Sequence, residues 1–202
     1  MLKYPIYEAL IGDENEGILQ ISLVENPAVE SLWEAFDAVE EENVPKMENY
    51  AIENEEQRLI TGCFLRADYP ILRRNDLGEY YYITFSKETI KLMVIKWLDE
   101  NRANMINQHH KENTSVDGIY LQEVFIKNKE KGIDPKGFET VEDGSAFATY
   151  KVLDDEIWEK VKNGEFKGFS IECITEVAPV EEEKDIYDEI IEMLEKIKDN
   201  QR

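Results

Sequence analysis

The sequence predicts an α+β fold built on a mainly antiparallel sheet or a closed β-barrel, with helices at its flanks. Two observations favour this class. Many short runs are rich in β-branched and aromatic residues, and turn-forming residues separate them. Only a few segments have the three- and four-residue apolar spacing of an amphipathic helix. The predicted strands cover residues 3–11, 17–24, 58–65, 80–85, 105–110, 119–126 and 146–152, and a last one surrounds Ser170.

Two helices are predicted within this frame. Ser86 is a natural N-cap for a helix over residues 86–101. Asp154 can cap a second helix over residues 154–162, and Gly164 can end it in the left-handed conformation. We expect the apolar face of each helix to pack against the sheet. These faces consist of Ile90, Met93, Val94, Trp97 and Leu98 in the first helix, and of Ile157, Trp158 and Val161 in the second.

The length predicts one domain with an appendage. The domain covers residues 1–178. Within it, residues 34–57 are acidic and poor in aliphatic side chains, which predicts a solvated, flexible insertion. Residues 179–183 have the composition of a linker, and residues 186–197 have the apolar spacing of an amphipathic helix. That helix could dock on the same domain, or it could associate with a partner or with its own copies.

The charge balance limits the classes of partner. The chain has 45 acidic and 23 basic residues, and its formal net charge is −22. Since binding to nucleic acid needs a basic surface, we expect no nucleic-acid partner. We expect no membrane span and no signal peptide, because no apolar run has the required length. Cys63 and Cys173 are too few for a disulfide framework and lack metal-ligand spacing, which predicts a reducing cytoplasm and no zinc.

Ser170 is the candidate nucleophile. It follows the second helix, and Gly168 lets the backbone approach closely just before it. A serine beside a glycine on a strand is usually structural, so the assignment depends on partners. A serine hydroxyl needs a base, and the base needs a group that fixes its tautomer. The chain offers two adjacent histidines, His109 and His110, and a carboxylate at Glu123 in the strand predicted over residues 119–126.

Several short motifs follow one another between residues 18 and 175. They are ISLVENPA at 21–28, LITG at 59–62, RND at 74–76, YYYITFSKETI at 80–90, the histidine pair at 109–110, LQEVFI at 121–126, Trp158, and GFSIE at 168–172. With these motifs in this order, the chain resembles the XkdF-like phage serine proteases, which are relatives of prohead maturation proteases. It departs from the family pattern at 123–125, at 144–146 and at Cys173. None of these departures removes the serine, a histidine or the acid.

The resemblance implies a fold similar to that of the herpesvirus assembly proteases, an assemblin-like β-barrel ringed by helices. It also implies a site centred on a serine and a histidine, whose third member in relatives is an acid or a second histidine. Relatives carry an asparagine, two further residues and then the catalytic histidine. Asn107 therefore points to His110 as the base, and the spacing from His110 to Val116 fits the family's short hairpin.

The choice between the two histidines also involves geometry. Neighbouring residues of a strand point to opposite faces, so only one imidazole can reach Ser170. Alternation does not decide, because neither face of the strand predicted over residues 105–110 is clearly apolar. We take His110 as the base and His109 as the alternative, which would then be a wall or substrate-contact residue.

These observations predict a serine endopeptidase that processes phage capsid and scaffold proteins during prohead maturation. Ser170 would attack the scissile carbonyl, His110 would transfer the proton, and Glu123 would orient the imidazole. No metal or cofactor is expected. The protein would act in the bacterial host cytoplasm, within the assembling procapsid, with possible self-association. The alternatives are a non-enzymatic assembly or scaffold-binding factor, in which the serine is structural, and a general cytoplasmic binding domain.

Overall fold

The computed structural model describes residues 3–25, 51–54, 57–110 and 116–180, and at 51–54 it describes the backbone alone. Most of the acidic segment 34–57 and the whole helix predicted over 186–197 lie outside these ranges, so both stay predictions. Within the ranges, no helix combines the length and the apolar character that crossing a membrane requires. The described chain is α+β, and strands predominate over its two α-helices.

Eleven strands and two α-helices make up the described chain. The strands are β1 (Ile6–Leu10), β2 (Gly17–Val24), β3 (Ala51–Asn54), β4 (Leu59–Leu65), β5 (Ile71–Arg74), β6 (Tyr80–Thr84), β7 (Ile106–Gln108), β8 (Ile119–Ile126), β9 (Ala146–Val152), β10 (Gly168–Ile174) and β11 (Glu176–Pro179). The α-helices are α1 (Lys87–Asp99) and α2 (Asp155–Lys162), and a single 3₁₀ turn covers Lys129–Lys131.

The strands form three separate sheets. Their orders are β11-β1-β6-β5, β10-β2-β7 and β3-β4-β9-β8. Six of the eight strand pairs are antiparallel, while β1 with β6 and β2 with β7 are parallel. In the described part of the chain the sheets do not close on themselves, so the predicted barrel is wrong. Closure requires every strand to have two neighbours, and six strands here have one each.

Helix α1 packs as its spacing predicts. The Ser86 hydroxyl caps it by accepting a hydrogen bond from the Thr89 amide at 3.2 Å. Ile90, Met93 and Trp97 are fully buried in the main hydrophobic cluster, and the Trp97 ring lies 5.6 Å from that of Phe64. The prediction fails at the end of the stripe, where Leu98 is 40% exposed. The apolar face therefore attaches α1 to the sheets along its first three turns.

Helix α2 carries the chain into β10, the strand of Ser170. The Asp154 carboxylate accepts a hydrogen bond from the Ile157 amide at 2.8 Å, as expected of an N-cap. Ile157, Trp158 and Val161 are buried, which confirms the predicted apolar face. Gly164 has φ +71°, the left-handed value that ends a helix at little cost for glycine. The end of α2 thus sets where β10 begins.

Three short strands were not predicted. Residues 69–79 were expected to be a turn-rich connection, yet they contain β5, which is followed by a turn where the Asn75 side chain accepts hydrogen bonds from the Leu77 and Glu79 amides. Strand β3 lies inside the expected insertion, and β11 reaches Pro179, where a linker was expected to begin. Each has four residues, too few for alternation to reveal it.

Candidate active site

Strand β2 separates an apolar face from a polar one. Ile21 and Leu23 are fully buried in the main hydrophobic cluster. Gln20 and Ser22 alternate with them and therefore lie on the opposite face of the strand. Since β2 is the middle strand of its sheet, its polar face is flanked by β10 on one side and by β7 on the other.

The register of these strands aligns polar residues across the sheet. Ser22 pairs with Ser170 of β10 and with Asn107 of β7, and Gln20 pairs with Glu172. Residues that pair directly across strands share a face. Ser22, Ser170 and Asn107 are exposed by 3% or less, so this is a buried polar row. A β-bulge between Glu172 and Cys173 ends the regular register, and bulges are common beside active sites.

The two histidines do not lie on a strand. Strand β7 ends at Gln108, and His109 and His110 have φ values of +52° and +54°. The prediction of a strand over 105–110 is therefore wrong at its end, and the two side chains do not alternate between faces of a sheet. Left-handed backbone at a residue other than glycine costs on the order of 1–3 kcal/mol, and it clusters at functional sites. The His109 amide donates to the Leu23 carbonyl at 3.0 Å, which ties the turn to β2.

This turn brings His110 to the polar face. Its Nδ1 atom lies 3.1 Å from Glu172 Oε1 and 3.0 Å from Ser22 Oγ. The imidazole is 40% exposed and the Glu172 side chain 27% exposed, so the pair lies at the edge of the buried row. An imidazole, a carboxylate and two hydroxyls thus meet on one surface.

The Glu172 carboxylate is held by neutral donors. Gln20 Nε2 donates to Oε2 at 2.6 Å, and Asn107 Nδ2 donates to Oε1 at 2.9 Å. Partial burial raises the pKa of Glu172, but the hydrogen bonds from Gln20, Asn107 and His110 outweigh burial, so the pKa lies below the ordinary carboxyl value. Glu172 is therefore ionised at neutral pH.

An ionised carboxylate determines the direction of every hydrogen bond in this group. Because it can only accept, the proton of the neutral His110 ring must be on Nδ1, and Nε2 carries the free lone pair. Ser22 Oγ, beside the same Nδ1–H, can only accept from it. The Ser22 hydroxyl donates instead to Asn107 Oδ1. Glu172 Oε1 lies 3.4 Å from Ser22 Oγ as a second, longer acceptor, so the hydroxyl proton is directed to Asn107 or Glu172 and not to the imidazole.

Ser170 lies one strand away from this contact. It pairs with Ser22 and shares its face, but the structure records no hydrogen bond between the Ser170 hydroxyl and any residue it describes. The sequence-predicted serine and histidine are thus brought to the same face without a direct hydrogen bond. Catalytic hydrogen bonds are often long before substrate binds, so this geometry does not exclude the pair.

His109 and Glu123 have other surroundings. The exposed His109 ring packs on Phe166, with ring centroids 5.3 Å apart. Glu123 is exposed on β8 and pairs with Thr149 of β9 in a different sheet. The structure gives Glu123 no hydrogen bond or ion pair with either histidine. The carboxylate that contacts His110 is Glu172, so the orienting role predicted for Glu123 lacks a supporting contact.

Sequence reasoning missed Glu172, Ser22 and Gln20. For Glu172 a signal was present, because a residue two positions after Ser170 on one strand shares its face. No local signal marks Ser22 and Gln20. Their part in the site follows from pairing between β2 and β10, which are about 150 positions apart in the chain.

The two thiols near these elements are poor alternatives to the serines. Burial raises the pKa of the Cys63 thiol to about 12. Burial likewise raises that of Cys173 to about 11, against the opposing effect of Arg73. Both are protonated at neutral pH, whereas a cysteine nucleophile reacts as the thiolate. Among the described residues, no group of three or more His, Cys, Asp and Glu is placed to hold a metal ion.

Hydroxyl, imidazole and carboxylate on one face are the groups that a serine hydrolase uses. A comparison with protein-family models agrees with this class. The model described as "Putative phage serine protease XkdF" matches residues 46–179, which is more than half of the chain. The chain belongs to this family of phage serine proteases, and the resemblance inferred from its motifs is confirmed. No curated protein and no solved structure matches the chain.

Proposed function

We propose that the protein is a serine endopeptidase that cleaves capsid and scaffold proteins during prohead maturation. Membership in the family supports a phage serine protease in general. The observation that carries the proposal is the His110 imidazole, which contacts the Glu172 carboxylate beside two buried serines. His110, Ser170 and Glu172 fall within the range that the family model matches, whereas Ser22 precedes it.

Ser170 is the nucleophile in this proposal. Ser22 is closer to the imidazole, but it faces the protonated Nδ1, and the acceptors for its own proton are Asn107 and, at 3.4 Å, Glu172. The unprotonated Nε2 is the nitrogen that can take a proton. Side chains paired across strands have Cβ atoms about 4.5–5.5 Å apart, so Ser170 lies close enough for a rotation of the ring about its contact with Glu172 to turn Nε2 toward it. Substrate binding would bring Nε2 and Oγ into hydrogen-bond range.

The chemistry then follows the general course of acyl transfer. As Ser170 Oγ attacks the scissile carbonyl carbon, its proton moves to His110 Nε2, and the carbonyl π pair moves to oxygen. When the tetrahedral species collapses, the C–N bond breaks and Nε2 returns the proton to the leaving amine. Water then attacks the acyl-enzyme by the same proton route. The exposed edge of His110 leaves the imidazole accessible to water and to the amine.

The proposed setting is the procapsid assembling in the host cytoplasm, where capsid and scaffold proteins are concentrated. An acidic protein with a net charge of −22 suits basic partner surfaces. The predicted helix over 186–197 is the proposed handle for association with the shell or with a second copy. These partners are proposed from the class of protein and from its net charge.

Co-expression with the capsid and scaffold proteins of the same phage tests the proposal. Mass spectrometry should find new termini in these proteins with the wild-type chain and none with Ser170→Ala. The same termini in both samples would attribute cleavage to a host protease. If neither sample shows new termini although the chain co-purifies with assembled shells, the non-enzymatic assembly factor becomes the better description.

A further inference from the structure

We propose that Glu172 is the positioning residue that fixes the tautomer and orientation of His110, and that Gln20 and Asn107 hold its carboxylate for this role. The catalytic role of Glu172 rests on the proposed function. Its hold on the His110 tautomer rests on the observed contacts alone. Glu172 replaces Glu123 in the role that sequence reasoning assigned to that residue.

The contacts of Glu172 support a fixed orientation of the carboxylate. Oε1 receives the imidazole Nδ1–H, the Asn107 amide and, at 3.4 Å, the Ser22 hydroxyl, and Oε2 receives the Gln20 amide. These donors come from two other strands and from the turn after β7. Within the described residues, no lysine or arginine forms an ion pair with Glu172. His110 is therefore the group whose charge the carboxylate is placed to stabilise when the ring takes up a proton.

The backbone relates Glu172 to the proposed nucleophile. Ser170 and Glu172 are two residues apart on β10, a separation of about 6.5–7 Å along a strand. Both pair with residues of β2, so the same ladder places both side chains. A positioning group on the same rigid strand as the nucleophile holds the imidazole at a fixed position relative to Ser170.

Asn107 connects this carboxylate to Ser22. Because its Nδ2 donates to Glu172, its Oδ1 is the atom left to accept from Ser22. Ser22 then presents an oxygen lone pair to the imidazole Nδ1–H. Two acceptors thus hold the proton on Nδ1, and Glu172 is the charged one.

The test is the tautomer of His110, measured by nitrogen NMR on protein with ¹⁵N-labelled imidazoles. The chain has two histidines, so a His109→Asn background leaves the signals of His110 alone. Spectra are recorded without substrate at a pH where the ring is neutral. Matched variants are Glu172→Gln, Glu172→Asp and Glu176→Gln, the last of which removes an exposed carboxylate of β11.

We expect the Nδ1–H tautomer in the His109→Asn background and in Glu176→Gln, and its loss in Glu172→Gln. Glu172→Asp keeps a carboxylate and should restore the tautomer in part. In parallel, kcat should fall on the order of 10³- to 10⁴-fold in Glu172→Gln, as when a triad acid is replaced by its amide, and less in Glu123→Gln. Gln20→Ala should shift the tautomer partly, and it serves if Glu172→Gln does not fold.

An unchanged Nδ1–H tautomer in folded Glu172→Gln would overturn the inference, as would an Nε2–H tautomer in the parent. Because the tautomer is measured without substrate, it is independent of proteolysis. If the His109→Asn parent has the expected tautomer but the wild-type protein has no peptidase activity, the proposed function is refuted and the positioning role stands.

Discussion

Two clusters of polar side chains in the described chain, each with buried members, differ in the kind of group that they contain. The first, the site cluster, consists of Gln20, Ser22, Asn107, His110, Ser170 and Glu172. The second, the ion-pair cluster, consists of Arg66, Lys127, Asp134 and Glu142. In the ion-pair cluster, two buried cations meet partly exposed carboxylates. In the site cluster, one carboxylate is surrounded by neutral donors.

Each cation of the ion-pair cluster has a carboxylate partner. Arg66 binds Glu142 through two nitrogens at 2.5 and 2.9 Å and lies over the Tyr69 ring. Fully buried Lys127 binds the Phe138 carbonyl at 2.5 Å and Asp134 at 2.9 Å. Such a group anchors the loop after β8 and contains neither an imidazole nor a serine hydroxyl.

The site cluster, by contrast, places an imidazole, which can act as a general base, beside hydroxyls that can be activated. Its imidazole contacts a hydroxyl and a carboxylate through Nδ1, and its backbone at His109 and His110 is held in an uncommon conformation. The difference shows that burial of polar groups does not itself indicate catalysis. What distinguishes the site is a base next to a potential nucleophile.

The largest expected effect separates the two serines. Ser170→Ala should lower peptidase turnover by on the order of 10⁴- to 10⁶-fold with the fold intact, because it removes the nucleophile and nothing else. Ser22→Ala should cause a much smaller loss, since that hydroxyl supports the ring. Turnover of a capsid-derived peptide and far-ultraviolet circular dichroism are measured on both variants. Abolished activity in Ser22→Ala with an active Ser170→Ala would make Ser22 the nucleophile.

The second prediction separates the two histidines. His110→Asn should lose activity as fully as Ser170→Ala, whereas His109→Asn should have a modest defect from its lost contact with Phe166. Asparagine is chosen because it tolerates positive φ, so the turn is preserved in both variants. Steady-state kinetics on one substrate make the comparison. The reverse pattern would move the base to His109.

The third prediction concerns the ion-pair cluster. Glu142→Ala leaves the buried Arg66 guanidinium without its carboxylate and should lower the free energy of unfolding by about 3 kcal/mol. The kcat per folded molecule should not change, because Glu142 binds Arg66 and takes no part in the hydrogen bonds of the site cluster. Urea denaturation measures the effect against Glu130→Ala, an exposed carboxylate whose loss should stay within about 0.5 kcal/mol. Equal stability of the two variants would contradict a structural role for the ion pair.

Much of the local structure could be predicted from the sequence. Spacing and caps identified α1 and α2, alternation identified β2, an apolar run identified β8, and β9 was also predicted, all three strands with the bounds that the structure has. These features depend on residues within one or two turns of each other. Closure of the sheets does not, because it depends on which edges meet in space. Local patterns therefore could not show whether the sheets close into a barrel.

The site divides in the same way. Ser170 and His110 could be nominated from motifs, and both lie on the polar face. Glu172 could have been found from its spacing to Ser170. Ser22 could not be found, because only strand pairing brings it to the site. The left-handed turn at His109 and His110 could not be predicted either, because no glycine marks it. Glu123 was selected for its proximity in sequence, which does not place it beside an imidazole.

The smallest expected effect concerns pH and sharpens the contrast between the clusters. The pKa of Glu172 lies below its ordinary value in the folded protein, because hydrogen bonds outweigh partial burial. Its ionised form therefore adds stability above the ordinary carboxyl pKa, and this stability is lost as the pH falls through the folded value.

Gln20→Ala removes one donor, raises the pKa of Glu172 and should cost about 1 kcal/mol at pH 7. At a pH low enough to protonate Glu172 in the folded state, the pH-dependent part of that cost should vanish. Urea denaturation at both pH values, with Gln122→Ala of β8 as the exposed control, measures the difference. A cost for Gln20→Ala that is the same at both pH values would mean that Gln20 acts by packing and that Glu172 does not depend on it for its charge.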